Sequence, residues 1–378
     1  MKNVKILKIR KLFTLIAILL MSTTGFTQNK QATPKELLNK RWKDVATNMP
    51  AEWYNSKEAK LVAENVLLSQ KEIGGWEKNK PYHHTFSESE REHYINSKSE
   101  IGATFDNGAT IMEMRFLARM YSHIKDDRYK QSFLKGLQYI FTAQYKNGGW
   151  PQFYPVRQGS VAYSGHITYN DDAMVNIMEF LKEIYTNDGI YTSLKISNDI
   201  KQNAREAFNN GIRCILDTQI IVNGSPTVWC AQHDSVTLAP AKARSYELPS
   251  FSGSESAGIV LLLMDIEHPS EEIKAAVNGA VEWFETNKIE GIRIETVTLD
   301  DGRKDRIVLE DENAPPHWGR FYDLESNEIF FCSRDGIKKK SMREISYERR
   351  NGYSWYTRAP EKVLTRYPDW KNQTVRKK

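Results

Sequence analysis

Two short stretches carry carboxylates in a setting where a carboxylate could do chemistry. "TFDNGAT", Thr104 to Thr110, and "TYNDDAM", Thr168 to Met174, each open an apolar helical pattern with a Thr, an aromatic and an acid. One such acid is an ordinary N-cap, accepting the free N–H groups of a first helical turn. Two of them are a cluster of hard oxygen donors if their helix ends converge on one cleft: Asp106 with Asn107, and Asn170 with Asp171 and Asp172. Calcium requires donors of that kind. A helix N-terminus favours anions, so only several carboxylates together would hold a cation there. The same Asp106 and Asp171 could instead be the acid and base of a glycosidase. Spacing leaves both uses open.

Three arginines stand in similar company. Arg244 lies in "PAKARSYELPSFSGSES", Arg320 in "HWGRFYDLESN" and Arg334 in "FFCSRDG", each flanked by aromatics or turn residues. Near one cleft they could grip carboxylates through bidentate hydrogen bonds. The histidines, His83, His84, His166, His233 and His317, have no metal-ligand spacing and read as loop or core residues. No nucleophile elbow or glycine-rich phosphate loop is present. Cys214, Cys230 and Cys332 show no zinc spacing; Cys214 and Cys230 are either one disulfide or two buried thiols.

The elements that must position these residues form a repeat. "AENVLLSQKEIGGWEKN" (63 to 79) and "LQYIFTAQYKNGGWPQF" (137 to 153) are each a helix ending in Gln, followed by Gly-Gly-Trp. A looser copy, "IRCILDTQIIVNGSPTVWCAQ", starts at Ile212, and a degenerate fourth starts at Val281. Spacings of 74 and 79 residues between Trp76, Trp150 and Trp229 suit a pair of long helices plus a loop. The helices between the copies step apolar residues by three and four, as at Met114, Leu117, Tyr121 and Ile124. Alternating inner and outer helices imply a mainly α (α/α) toroid to about residue 288. After it, "IRIETVTLDDGRKDRIVLE" predicts a β-hairpin turning at Asp301-Gly302, and a β and irregular region is expected over 289–378.

Residues 1–27 read as an export signal: five Lys and Arg, then the apolar run Leu12 to Met21, too short to span a bilayer. The remainder, 28–378, is taken as one domain and carries no other segment resembling a membrane span. Its net charge without the leader is zero, which excludes a global attraction to nucleic acid. From Asn313 onward 15 basic residues face 8 acidic ones, a local asymmetry only. The mature chain is expected to be exported, to the periplasm, outer surface or medium, and to act as a monomer.

The phrases "GGWEKN", "TFDNGAT", "NGGWPQFYP", "ITYNDDAM", "ARSYELPSFSGSES", "WGRFYDLESN" and "FFCSRDG" together resemble the catalytic module of family 10 pectate lyases, in order, from about Trp53 to Tyr356. The resemblance implies an (α/α) toroid and calcium-dependent β-elimination on an acidic polysaccharide, polygalacturonate or its oligomers. It implies Asp106, Asn107 and Asp171 as metal-binding residues, Arg244 as the base, and Arg320 and Arg334 as substrate-binding groups. Rival expectations are a toroid hydrolase using Asp106 and Asp171, and a non-catalytic polysaccharide-binding protein.

Overall fold

The Gln and Trp of each repeat copy make the same bonds, and these bonds set the architecture. In a computed structural model, which describes residues 34–187 and 189–376, Gln70, Gln144 and Gln219 each end a helix. Each Nε2 donates both to the turn that follows and to a carbonyl of the next outer helix: Ser132, Ala207 and Ala276. The indoles of Trp76, Trp150 and Trp229 are wholly buried, and each Nε1 donates back to the preceding helix, at Val66, Ile140 and Ile215. The same bond recurs a fourth time from Trp318 to Phe284 O. The degenerate fourth copy is therefore completed by Trp318, 34 residues on, and not by Trp283, whose indole reaches Asn327. A buried donor left unpaired costs about 1–3 kcal/mol, so these repeated bonds select one geometry for every turn.

The helices are α1 (Pro34–Leu38), α2 (Trp42–Thr47), α3 (Lys57–Ser69), α4 (Glu88–Asn96), α5 (Ile111–His123), α6 (Asp127–Ala143), α7 (Ala173–Thr186), α8 (Asn198–Thr218), α9 (Glu255–Met264), α10 (Glu271–Thr286), α11 (Tyr347–Gly352) and α12 (Ala359–Arg376). Helices α5 and α6, α7 and α8, and α9 and α10 are packed pairs. Within this set α3, α6, α8 and α10 form the outer row and α5, α7 and α9 the inner one, giving the (α/α) toroid. Gly74 and Gly148, at the same repeat position, have φ of 112° and 87°, and a Cβ there would collide with Lys135 O and Asn210 O of the next outer helices. Only glycine lets the turn approach so closely.

The predicted hairpin forms as Ile292–Thr298 against Lys304–Glu310, with Gly302 left-handed in its turn. Short two-residue strand pairs follow, one joining Phe251–Ser252 to Phe321–Tyr322. The chain does not stay irregular to its end: α12 packs against α9 and α10, burying Val363 and Trp370 beside the toroid. Its apolar residues recur at helical spacing, a signal hidden among the Lys and Arg of the tail. Cys214, Cys230 and Cys332 are buried free thiols, so the disulfide alternative is not realised. Burial pushes the Cys214 thiol up to about 12. Among the described residues no helix is long and apolar enough to cross a membrane; the expected export signal lies outside them.

Candidate active site

No acid of either stretch caps a helix through its side chain. The N-cap of α5 is Thr110 and that of α7 is Asp172, and neither makes a side-chain cap bond. Ahead of each helix stands one turn of 3-10 helix, Asp106–Gly108 and Asn170–Asp172. The middle residue of each turn is left-handed, Asn107 with φ 54° and Asp171 with φ 52°. Among residues with a side chain, Asn and Asp tolerate that region best. The turns are thus copies of one another with acid and amide exchanged, and they pack directly together.

The repeat contains a third copy of this turn, not evident from residue spacing. Thr104 N bonds to Trp76 O at 3.0 Å and Thr168 N to Trp150 O at 3.0 Å; Ser252 N makes the equivalent bond to Trp229 O at 2.8 Å. "SGSES" accordingly occupies the place of "TFDNG" and "TYNDD", and it brings buried Glu255 to the same end of the toroid. Fewer residues separate Ser252 from its helix than in the other two copies, which hides the likeness.

Asp106 is 2 % exposed; Lys78 pairs with its Oδ2, while Oδ1 is buried without a hydrogen-bond partner. Asn107 accompanies it, donating to Asn79 Oδ1 at 3.0 Å. Asp171 is held by Asn170 Nδ2 at 2.7 Å and by Arg320 Nη2 at 3.2 Å. Arg320 is buried and its Nη2 also reaches Asn170 Oδ1 at 3.0 Å and Glu255 Oε1 at 2.5 Å. It ties two of the three turns together. Burial, then the charges of Glu255 and Asp171, push the neighbouring Asp172 carboxyl up to about 6.

On its other side Arg320 stacks over Tyr353, 4.7 Å from the ring centre, and there an arginine cluster begins. Tyr246 and Tyr353 meet edge to face at 5.2 Å. Arg244, Arg334 and Arg349 lie over Tyr246 at 5.0, 5.6 and 4.5 Å, and Arg244 also faces Tyr353 at 5.6 Å. Such contacts hold a guanidinium by the ring quadrupole while leaving its N–H edge available. Arg334 is exposed and paired with Glu348 at 2.9 Å. Arg244 is gripped at both ends by buried Glu247, Nε to Oε2 at 2.7 Å and Nη2 to Oε1, and Tyr353 Oη donates to the same carboxylate at 2.7 Å. Burial alone would lower the Arg244 pKa; the Glu247 hydrogen bond and charge outweigh it, and the guanidinium is raised above its ordinary value. Neighbouring cations therefore do not free its proton.

The histidines take no part. His233 is core, accepting from Cys230 N at 3.0 Å, and burial pushes its pKa down to about 4. The three repeat tryptophans are buried and offer no sugar-stacking face.

Two concave spaces meet at Asp171 and Asp172. One, of about 550 Å³, runs from Asn107 between α5 and α7; the other, of about 440 Å³, runs from Glu255 past Arg320 to Tyr356 and Lys362. As a cation site the donors are chemically apt: all are oxygens, and Asp106 Oδ1 is a buried carboxylate oxygen with no hydrogen bond. They are too few, since among the described residues no three acids, histidines or cysteines are grouped to hold a metal. Calcium takes six to eight oxygens, so water and a bound carboxylate must supply the balance.

A helical toroid presenting carboxylate turns beside an aromatic-backed arginine cluster defines an enzyme for an acidic carbohydrate. The chain belongs to the pectic acid lyase family, whose sequence model matches residues 70–364. It is similar to the solved family 10 polysaccharide lyase from Cellvibrio cellulosa, at 33 % identity and a TM-score of 0.71 over 85 % of this chain and 96 % of that one. A point mutant of a Cellvibrio cellulosa family 10 polysaccharide lyase, solved in complex with trigalacturonic acid, matches at 33 % identity and a TM-score of 0.70, over 85 % and 97 %. No curated protein sequence matches it. The protein is a polysaccharide lyase, and its substrate is pectate.

Proposed function

We propose that the protein cleaves de-esterified α-1,4-galacturonan by calcium-dependent β-elimination, leaving a 4,5-unsaturated uronate at the new end. The observation that carries this reading is the Arg320 junction, which joins oxygen-rich turns to arginine donors in one network. A substrate with a carboxylate on every ring needs both: a place for a shared cation and guanidinium groups for the remaining charge.

Asp106, Asn107 and Asp171 would hold the calcium, which when bound neutralises the uronate carboxylate and so acidifies the adjacent C5–H. Asp106 must exchange Lys78, and Asp171 must share Arg320, to do so. Arg334, exposed on Tyr246, binds a substrate carboxylate; Arg320 orients Asp171 and presents its free edge to the same ring. Arg244 takes the C5 proton, the C5–H electron pair forms the C4–C5 double bond, and the C4–O bond breaks with the leaving sugar. Guanidinium carries no spare lone pair, so Arg244 must be neutral at that moment. The Glu247 grip opposes this, which restricts turnover to alkaline pH and requires Glu247 to yield as substrate binds. The chain is exported and works as a monomer in this reading.

The test is to mix the protein with polygalacturonate and calcium and follow the ultraviolet absorbance of the conjugated product. Absorbance should rise with calcium and stop with chelator. Reducing ends without absorbance would mean hydrolysis, and binding without cleavage would mean a lectin-like role.

A further inference from the structure

The groove between α5 and α7 contains cations that the site described above does not use. Its 550 Å³ begin at Asn107, Asp171 and Asp172 and extend past Arg115 to Arg119, with Lys43 and Asn48 on the far wall. Arg115 and Arg119 are one turn apart and share a face of α5. Arg115 is satisfied: Glu183 accepts from it at 2.6 Å, and Tyr191 Oη fixes Glu183 at 2.7 Å. Arg119 is the opposite case. It is half-buried, its Nη1 is shielded from water with no hydrogen-bond partner, and no described carboxylate pairs with it. Lys43, exposed at the same end, also has no ion-pair partner among the described residues.

A buried guanidinium nitrogen with nothing to donate to is costly unless an acceptor arrives from outside. We propose that this groove is a distal subsite in which Arg119 and Lys43 bind the carboxylate of a further uronate on the same polymer chain. The inference rests on the pectate reading above. Along α5 the distance from Ile111 to Arg119 is about 12 Å, so the carboxylate bound there belongs to a sugar well removed from the one at Asp171. Asp171, Asp172 and Glu183 line the groove between, which disfavours a compact polyanion and suits a chain whose carboxylates are spaced. The consequence is a preference for long chains.

The experiment compares kcat/KM on hexagalacturonate and trigalacturonate for the wild type, Arg119→Gln and Lys43→Gln, with calorimetric binding of both oligomers at a pH where turnover is negligible. The wild type should favour the hexamer. Arg119→Gln should cut the hexamer-to-trimer ratio about tenfold, the loss of one charge-assisted pair, and Lys43→Gln should cut it less. Equal losses on both oligomers, or no loss on either, overturn the subsite. Lys43 is exposed on α2, so its variant keeps the test open if Arg119→Gln fails to fold. Hexamer binding that depends on Arg119 in a protein releasing no unsaturated product would support the subsite while sinking the lyase chemistry. Normal lyase activity with no length dependence would do the reverse. Tight binding of free acetate at Arg119 without chain-length dependence would reduce the groove to a small-anion site and overturn the proposal.

Discussion

The toroid and the region after it hold their functional groups by different means. In the toroid, backbone geometry does the positioning: three turns hang from the same Trp carbonyl bond, and Asn107 and Asp171 are fixed by left-handed backbone, so side-chain freedom hardly enters. Beside it a separate cluster of Tyr246, from the loop before α9, with Phe321, Phe331, Tyr353 and Trp355 of the later region supplies flat faces, and the arginines lie on them. Repetition can place carboxylates because each turn inherits its predecessor's bonds. It carries Arg320 only through Trp318, the tryptophan of the fourth copy two residues before it, and it gives no place to Arg334. The difference teaches that damage to the first region should appear as lost stability, and damage to the second as altered kinetics, with the Arg320 seam showing both.

The largest effect is expected at Arg244. Arg244→Lys keeps the charge but moves the nitrogen proposed to take the proton, and kcat should fall by about 10²–10⁴ with KM little changed, the signature of a group acting in proton transfer. A raised KM at nearly constant kcat would make Arg244 a carboxylate clamp. Glu247→Gln sharpens this: it removes the charge that holds the proton on Arg244, so the alkaline optimum should move to lower pH, and an unmoved pH profile would count against Arg244 as base.

Next in size is the seam. Glu255→Ala strips buried Arg320 of a buried partner, and breaking such a pair costs about 3–5 kcal/mol, read as a lower urea midpoint. Activity should drop as well, since Arg320 orients Asp171. A stable Glu255→Ala would show that Asn170 and Asp171 suffice to hold the guanidinium.

A smaller effect is expected inside the toroid at Glu113, on α5. It is fully buried, accepts from Trp42 Nε1 at 2.6 Å, and has its second oxygen unpartnered; burial raises its carboxyl to about 7. Its folded pKa exceeds the unfolded one, so the fold favours the protonated form. The stabilisation is complete below about pH 4.3 and is lost as pH rises through 7. Glu113→Gln imitates the neutral acid, and should flatten this dependence and leave the mutant more stable than wild type by about 2–3 kcal/mol at pH 8–9 in denaturant titrations. Parallel pH curves would place the titration elsewhere. Gln144→Leu, which removes the bonds to Gly148 O and Ala207 O, should cost about 1–3 kcal/mol by leaving two carbonyls unpaired, with kcat unchanged. At the bottom of the scale, Glu348→Ala frees exposed Arg334 and should change KM for oligogalacturonate; because the same carboxylate also pairs with buried Arg349, the melting temperature should fall slightly as well.

Much of this was legible in the residue order. The Gln to Gly-Gly-Trp spacing announced the helical pairs, because each copy must satisfy the same buried donors. The Asp301-Gly302 signal announced the hairpin, because that turn matches the twist of its strands. The acidic turns were legible as a repeated ingredient, yet none of their acids makes a side-chain cap bond; a cap and a left-handed 3-10 turn use the same residue types one step apart. Glu255 escaped because a shorter connection broke the alignment of the third copy, and α12 because charges mask its apolar stripe. Lys78 carries no local signal, since its partner Asp106 lies 28 residues on, whereas Glu247 stands three residues after Arg244 and only its burial was hidden.

What the sequence determined by itself is the set of local choices: which segments are helical, where buried Gln and Trp must find carbonyls, and which turns admit a left-handed Asn or Asp. These depend on covalent geometry and on neighbours a few residues away. What only the tertiary structure decided is which charges meet. Arg320 stands 150 residues from Asn170 and 65 from Glu255, yet one nitrogen serves both, and Arg244 is denied an easy deprotonation by a carboxylate whose burial depends on Tyr353, 106 residues further on. The energy of a charge depends on its distance to others and on the water excluded around it, and neither exists until the chain has folded.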